Sequence, residues 1–142
     1  MLIRAATIDD AAALAVLSGQ LGYPADAAAV LRRLDGMVAH RAGAVLVAVD
    51  ARDALSGFAH VEPRHLLIAE PFAELAALVV SETARGQRVG SALLAAAEAW
   101  AREQGFASMR VRSNVLRERA HRFYLREGYI EKKRQAVFLK HL

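Results

Sequence analysis

Leu75-Ala76-Ala77-Leu78-Val79-Val80-Ser81-Glu82-Thr83-Ala84-Arg85-Gly86-Gln87-Arg88-Val89-Gly90-Ser91-Ala92-Leu93-Leu94 is the stretch on which the fold turns. Its apolar opening continues a run from Phe72 to Val80 and forms the strongest strand pattern in the chain. A polar loop with two glycines follows, and then a long helix, in which Val89, Leu93, Ala97, Trp100 and Gln104 recur at helical spacing up to a stop at Gly105. The first amides of such a helix lack intrahelical partners, and the helix dipole adds roughly half a positive charge beside them. An anion such as a pyrophosphate can rest there. Gly86 and Gly90 permit close backbone approach, while Arg85 and Arg88 add charge-assisted contacts. The loop lacks the lysine and Ser/Thr of GxxxxGK[ST], which disfavours ATP chemistry, and it contains no GxGxxG.

Upstream, Leu2 to Ala5 reads as a short strand, and Thr7 caps a helix with Asp10 in a weaker capping box. Leu14, Leu17, Ser18 and Leu21 give that helix a buried stripe. Asp26 caps a second helix carrying Val30, Leu31, Leu34 and Val38. Val45 to Val49 is a strand covered on both faces, and Gly57 to Glu62 is another, which Pro63 and Arg64 kink or end. Downstream come a strand over Phe106 to Arg112, a helix over Arg117 to Glu127 stopped by Gly128, and one or two strands in the tail. The Glu131-Lys132-Lys133-Arg134 cluster reads as a solvated hairpin turn. The 142 residues carry no linker or repeat, so the expectation is one α/β domain over residues 1–142 around a mixed sheet.

Composition sets the outer bounds. Hydrophobic residues make up 55% and charged residues 24%, which fits a globular protein and excludes a disordered or collagen-like chain. With no cysteine, disulfides, thiolate metal sites and a cysteine nucleophile are all excluded. Apolar runs fall short of the ~18 residues of a membrane span, and Asp9 and Asp10 come too early for a signal peptide, so a cytoplasmic location without membrane attachment is expected. The net charge of +4 fits either compositional bias or an anionic partner. Arginines 110, 112, 117, 119, 122 and 126 cluster, yet aromatics are only 6% of the chain and nucleic-acid motifs are missing, so a nucleic-acid partner is not expected.

Arg85-Gly86-Gln87-Arg88-Val89-Gly90-Ser91 resembles the acyl-CoA pyrophosphate loop of the GNAT superfamily of N-acetyltransferases, [QR]-x-x-G-x-[GA], with Arg85 in the first slot, Gly90 in the last and Arg88 in place of the middle glycine. Arg117-Glu118-Arg119-Ala120-His121-Arg122-Phe123-Tyr124 with Gly128-Tyr129 is similar to the family's N-x-x-A-x-x-[FL]-Y-x-x-x-G-[FY]. The resemblance covers the chain in element order. It implies a GNAT-like fold with a mostly antiparallel sheet of about six to seven strands flanked by about four helices. It also implies acetyl-CoA as co-substrate, pairing of its pantetheine arm with the backbone of Leu78, Val79 and Val80, and contact of the loop from Arg85 to Ser91 with the pyrophosphate. Arg117 stands in the usual asparagine slot and Asn114 lies three residues earlier; either could contact the cofactor. Relatives are often dimers, so a homodimer is expected by analogy alone.

Acetylation of a primary amine, on a small molecule or a protein, requires a neutral amine, a stabilised oxyanion and a proton for the departing thiolate. An amine with a pKa of about 10.4 is mostly protonated near neutral pH, and a carboxylate can take that proton. Glu74 is the candidate, set in an apolar strand on the face of Phe72, Ala76 and Leu78 by the period-two rule. The competing reading is a glutamate paired with a neighbouring arginine. Tyr124 is the candidate general acid from the family match, and the oxyanion falls to a backbone amide at Leu78 to Val80, where the family's strand bulges. Tyr23, His60, Glu62, His65 and Glu70 lie in regions that commonly face the acceptor in this family, each reading first as a surface or packing residue. His60 and His65 make no metal pair, and no metal is expected. The rival to an enzyme is a module of the same fold that holds acyl-CoA without turnover.

Overall fold

The computed structural model describes residues 1–40 and 43–142. They form two compact units, Met1–Val111 and Arg112–Leu142. The first contains β1 (Leu2–Ala5), α1 (Ala11–Leu21), α2 (Ala27–Ala39), β2 (Ala44–Val49), β3 (Leu55–Leu66), β4 (Ala69–Val80), α3 (Val89–Glu103) and β5 (Met109–Val111). The second contains α4 (Glu118–Arg126). The five strands form one sheet in the order β1-β2-β3-β4-β5, antiparallel throughout except for the parallel pair β4–β5.

Alternation along β2 decides how the sheet is covered. Val45, Val47 and Val49 share one face and pack with Leu14 of α1 and Val30 and Leu34 of α2. The opposite face meets α3, whose Val89, Leu93 and Ala97 are buried. Gly57 of β3 sits beneath that helix. A Cβ there would lie 2.6 Å from the Val79 carbonyl oxygen, 3.0 Å from Leu93 Cδ1 and 3.2 Å from Val89 Cγ1. Only a hydrogen fits between the sheet and α3 at this point.

Several local expectations hold. Asp26 caps α2 by accepting the Ala29 amide at 2.7 Å. The Thr7 amide donates to Asp10 Oδ2 at 2.7 Å, although this closes a 3₁₀ turn over Ile8–Asp10 ahead of α1. Arg4 grips the same carboxylate with both terminal nitrogens, at 2.8 and 3.0 Å. Asp10 is 6% exposed, and the Arg4 hydrogen bonds hold its carboxyl below the usual aspartate range.

Four expectations are corrected. β3 does not end at Pro63 but runs to Leu66, held by its pairing with β4 at Pro63, Arg64 and Leu66, with a register shift between the last two. On α2 the stripe narrows to Val30 and Leu34, leaving Val38 77% exposed. The strand after α3 shrinks to Met109–Val111, the extent of its pairing with β4. Residues 129–142 contain no strand, so among the described residues the sheet has five strands, slightly fewer than the six to seven expected, and the charged cluster is no hairpin. Arg134 Nε donates to Glu131 Oε1 at 2.6 Å in solvent, while Val137, Phe138 and Leu139 lie exposed with no ladder to join.

Two outcomes follow. Gly57→Ala should destabilise the fold by about 1–3 kcal/mol in chemical denaturation, since the nearest obstacle is backbone; unchanged stability would show that the sheet–helix spacing is slack. Asp10→Asn should lower the melting temperature at neutral pH. Because the folded pKa is depressed, the stabilisation is present above the unfolded value of about 3.9 and fades as pH falls through the folded one. The gap between wild type and variant should therefore close in acid.

Candidate active site

The site begins where β4 loses a neighbour. Ala73, Glu74 and Leu75 pair with Met109, Arg110 and Val111, and beyond Leu75 β4 continues to Val80 paired with β3 alone. At the same place the β3 register shifts: Val61 lies opposite Leu75 and His60 opposite Ala77, so Ala76 is an extra residue in β4. The bulge thus falls at Ala76 and not within Leu78 to Val80. It also breaks the period-two rule. The face that holds Phe72 and Glu74 continues through Ala77 and Val79, opposite His60 and Phe58, instead of through Ala76 and Leu78. Phe58 packs in the cluster beneath α1 and α2, so Glu74 is on that side of the sheet.

From Val80 the chain is tied down before it loops. The Ser81 amide donates to Ser56 O at 2.8 Å, the Ala84 amide to Ser81 O at 2.9 Å, and the Glu82 amide to Gln20 Oε1 of α1 at 3.1 Å. Ala84 is buried, whereas Arg85, Gly86, Gln87 and Arg88 are exposed. Gly86 has φ +82°, with open space where a side chain would stand. Arg88 caps α3 with φ +61° and ψ +19°, a left-handed conformation costly to a residue with a Cβ, and its side chain makes no capping hydrogen bond. The slot filled by arginine instead of glycine therefore keeps the conformation that favours glycine. Val89, Gly90 and Ser91 form the first turn of α3, where helix amides point outward. A phosphate-bearing ligand fits this strand–loop–helix: an open cradle, two exposed guanidinium-bearing residues and a helix N-terminus.

Glu74 is 7% exposed and lies directly opposite Glu62 across the β3–β4 ladder. Arg64 Nη1 stands 3.6 Å from Glu74 Oε2 and 3.7 Å from Glu62 Oε1. Glu74 is therefore a buried carboxylate that carries the arginine pairing of the competing reading. Arg110, level with Glu74 on β5, lays its guanidinium over the Phe72 ring at 4.0 Å. Sequence reasoning missed Arg64 and Arg110 as neighbours of Glu74; Glu62-x-Arg64 on one strand face was the available signal for the first. Of the remaining candidates, Tyr23 is 71% exposed, Glu70 is exposed, and His65 packs its ring 6.1 Å from Phe106. Among the described residues no group of three or more His, Asp or Glu could hold a metal ion, and no helix is long and apolar enough to cross a membrane.

In the second unit Tyr124 is buried on α4, with its ring 5.2 Å from Phe123 and 5.9 Å from Tyr129. Burial pushes its phenol above the usual tyrosine value, and the charge of Arg117 opposes this more weakly. Asn114 is used locally: its Oδ1 accepts the Leu116 amide at 2.9 Å, its carbonyl accepts the Arg117 amide at 3.0 Å, and His121 Nε2 lies 2.9 Å from the same carbonyl. Arg117 is exposed at the start of α4.

The model of the acetyltransferase (GNAT) family matches residues 13–129. An aminoglycoside N(6')-acetyltransferase type 1 from Stenotrophomonas maltophilia is 36% identical over 140 residues, 96% of this chain and 90% of that protein. An aminoalkylphosphonate N-acetyltransferase from Salmonella typhimurium is 49% identical over 65 residues, 46% of this chain and 42% of that protein, so the match spans less than half of its length. Among solved structures, AAC(6')-Iy bound to a CoA bisubstrate analogue superposes with a TM-score of 0.87 at 20% identity, covering 99% of this chain and 98% of that one, and shares the fold. With the strand–loop–helix in place and the family match spanning most of its length, the chain belongs to the acetyltransferase (GNAT) family and is an acetyltransferase.

Proposed function

We propose that this enzyme transfers the acetyl group of acetyl-CoA to a primary amine of a small molecule, by direct attack in a ternary complex. The observation that carries the reading is the exposed loop from Arg85 to Arg88, left-handed at Gly86 and Arg88, opening directly onto the N-terminus of α3. In this reading residues Arg85, Gly86, Gln87, Arg88, Val89, Gly90 and Ser91 hold the pyrophosphate, and the backbone of Leu78, Val79 and Val80 receives the pantetheine arm where β4 runs without β5. Between the two candidates near α4, Arg117 is the better cofactor contact, since the Asn114 side-chain oxygen already closes a turn. Support for a small-molecule acceptor comes from the two named relatives, one acting on aminoglycosides and the other on aminoalkylphosphonates.

Bound acetyl-CoA supplies an activated thioester. Glu74 takes a proton from the acceptor ammonium, directly or through water, so that nitrogen can bond to the acetyl carbon. A backbone amide at Leu78 to Val80 faces the negative charge that develops on the acetyl oxygen. As the carbon–sulfur bond breaks, Tyr124 Oη gives its proton to the sulfur, the acylated nitrogen loses its surplus proton to water, and the phenolate is reprotonated from water. The raised phenol value keeps that proton in place throughout the neutral range. In this reading residues 1–142 act as one N-acetyltransferase domain working in the cytoplasm. A homodimer would cover the exposed Leu67 and Ile68 at the β3–β4 hairpin tip or the Val137-Phe138-Leu139 tail.

The direct test is steady thiol release from acetyl-CoA with a panel of small amines; tight CoA binding without release would overturn the reading. Tyr124→Phe should lower kcat by about a hundredfold or more with little change in acetyl-CoA affinity. Glu74→Gln should lose rate at neutral pH and regain part of it above about pH 10, where the amine deprotonates itself; a flat, fully active profile removes Glu74 from the mechanism. Arg88→Gly relieves the left-handed strain and should hold or raise the melting temperature, while the KM for acetyl-CoA rises severalfold. An unchanged KM would show that the Arg88 side chain plays no part in binding.

A further inference from the structure

General-base chemistry at β4 requires one carboxylate, yet the sheet sets two against each other. Glu62 stands directly opposite Glu74, an arrangement that costs stability when both are charged. Arg64, two residues along β3 on the same face, lies between them. Its two contacts, 3.7 Å to Glu62 and 3.6 Å to Glu74, are ion pairs longer than hydrogen bonds. Exposure is graded across the group: the side chains of Arg64 and Glu62 are 33% and 29% exposed, that of Glu74 only 9%. Partly exposed pairs of this kind contribute little to folding, so the guanidinium is loosely held at the open end of the cluster. Arg110, another cation level with Glu74, lies over the Phe72 ring at 4.0 Å.

We infer that Arg64 is a displaceable counter-ion occupying the position of a substrate cation, and that Glu62 is a specificity residue selecting acceptors with a second positive charge. In the complex the acceptor's reacting ammonium reaches the deeper Glu74, a second ammonium pairs with Glu62, and Arg64 swings out to solvent. This deepens the proposed transfer reaction and rests on it. The preferred acceptor is then a diamine or polyamine-like cation, and the guanidinium that shields the empty cluster also sets a threshold against singly charged amines.

The experiment is thiol release from acetyl-CoA with butylamine, putrescine and aminoethylphosphonate, using wild type, Glu62→Gln and Arg64→Gln, with melting temperatures measured for all three proteins. The wild type should prefer putrescine to butylamine in kcat/KM by about tenfold or more, a preference that weakens as salt is raised. Glu62→Gln should bring that ratio towards one, chiefly through the KM for putrescine. Arg64→Gln should lower the KM for putrescine. A wild-type ratio near one overturns the inference whether or not the variants fold, as does a ratio that Glu62→Gln leaves intact. Preference for aminoethylphosphonate, with its KM raised in Arg64→Gln, would instead make Arg64 the receptor for an anionic acceptor. Absence of release with every amine fails the proposed function itself, whereas release without discrimination fails only this inference.

Discussion

Past Leu75, β4 gives up its parallel neighbour and runs on to Val80 held by β3 alone. Everything chemical in the first unit depends on that parting. A strand paired on both sides would have its backbone groups consumed by the ladder; one paired on a single side keeps a row of them for something else. The parting can be sustained because β4 is fixed at both ends of the open stretch. The bulge at Ala76 resets its register against β3, and the Ser81–Ser56 hydrogen bond carries the pairing direction into the loop. Gly57 completes the support by letting α3 sit down on the sheet where the strand ends.

The strand, loop and helix around this parting were legible in the sequence because each announces itself chemically. An apolar run, a polar segment with glycines and a helical apolar spacing leave little room for another reading. The bulge was not legible, and the reason lies in its residues. Leu75-Ala76-Ala77-Leu78 carries no polar side chain to show which alanine is the extra one, so the period-two rule ran through it and put Ala76 and Leu78 on the face of Glu74. Pro63 misled differently. Proline lacks an N–H and reads as a kink or an end, yet β3 keeps its pairing with β4 through Arg64 and Leu66. The tail misled because Val137, Phe138 and Leu139 have strand-forming side chains, but side chains supply no ladder partner.

The arginines divide by the work they do, which tempers any reading of net charge. Arg4 is spent on Asp10, Arg64 on two glutamates, Arg110 on an aromatic face and Arg134 on Glu131. The exposed side chains of Arg85 and Arg88 flank Gly86 beside the α3 N-terminus, and there a strained backbone is tolerated. Among the described residues other than glycine, Arg88 and Asp53 have a positive φ, and Arg88 is the one that stands at a helix N-terminus.

The two ends of the candidate site are built from different materials, and this explains why one was easier to read than the other. The donor end is mostly backbone: open strand edge, helix amides and a turn. Such features survive wide changes of side chain, so motif spacing finds them. The acceptor end is made of side chains on β3 and β4, where one substitution reverses what is attracted. The relatives illustrate the point: one is named for acetylating aminoglycosides and another for acetylating aminoalkylphosphonates. If Glu74 is the base, a second carboxylate opposite it suits a cationic acceptor and opposes an anionic one. An arginine with uncommitted hydrogen-bonding capacity would suit the second, and Arg64 is drawn instead towards both glutamates. On the proposed reading the acceptor's charge is decided between Glu62 and Arg64, two residues on one strand face that need not alter the donor end at all.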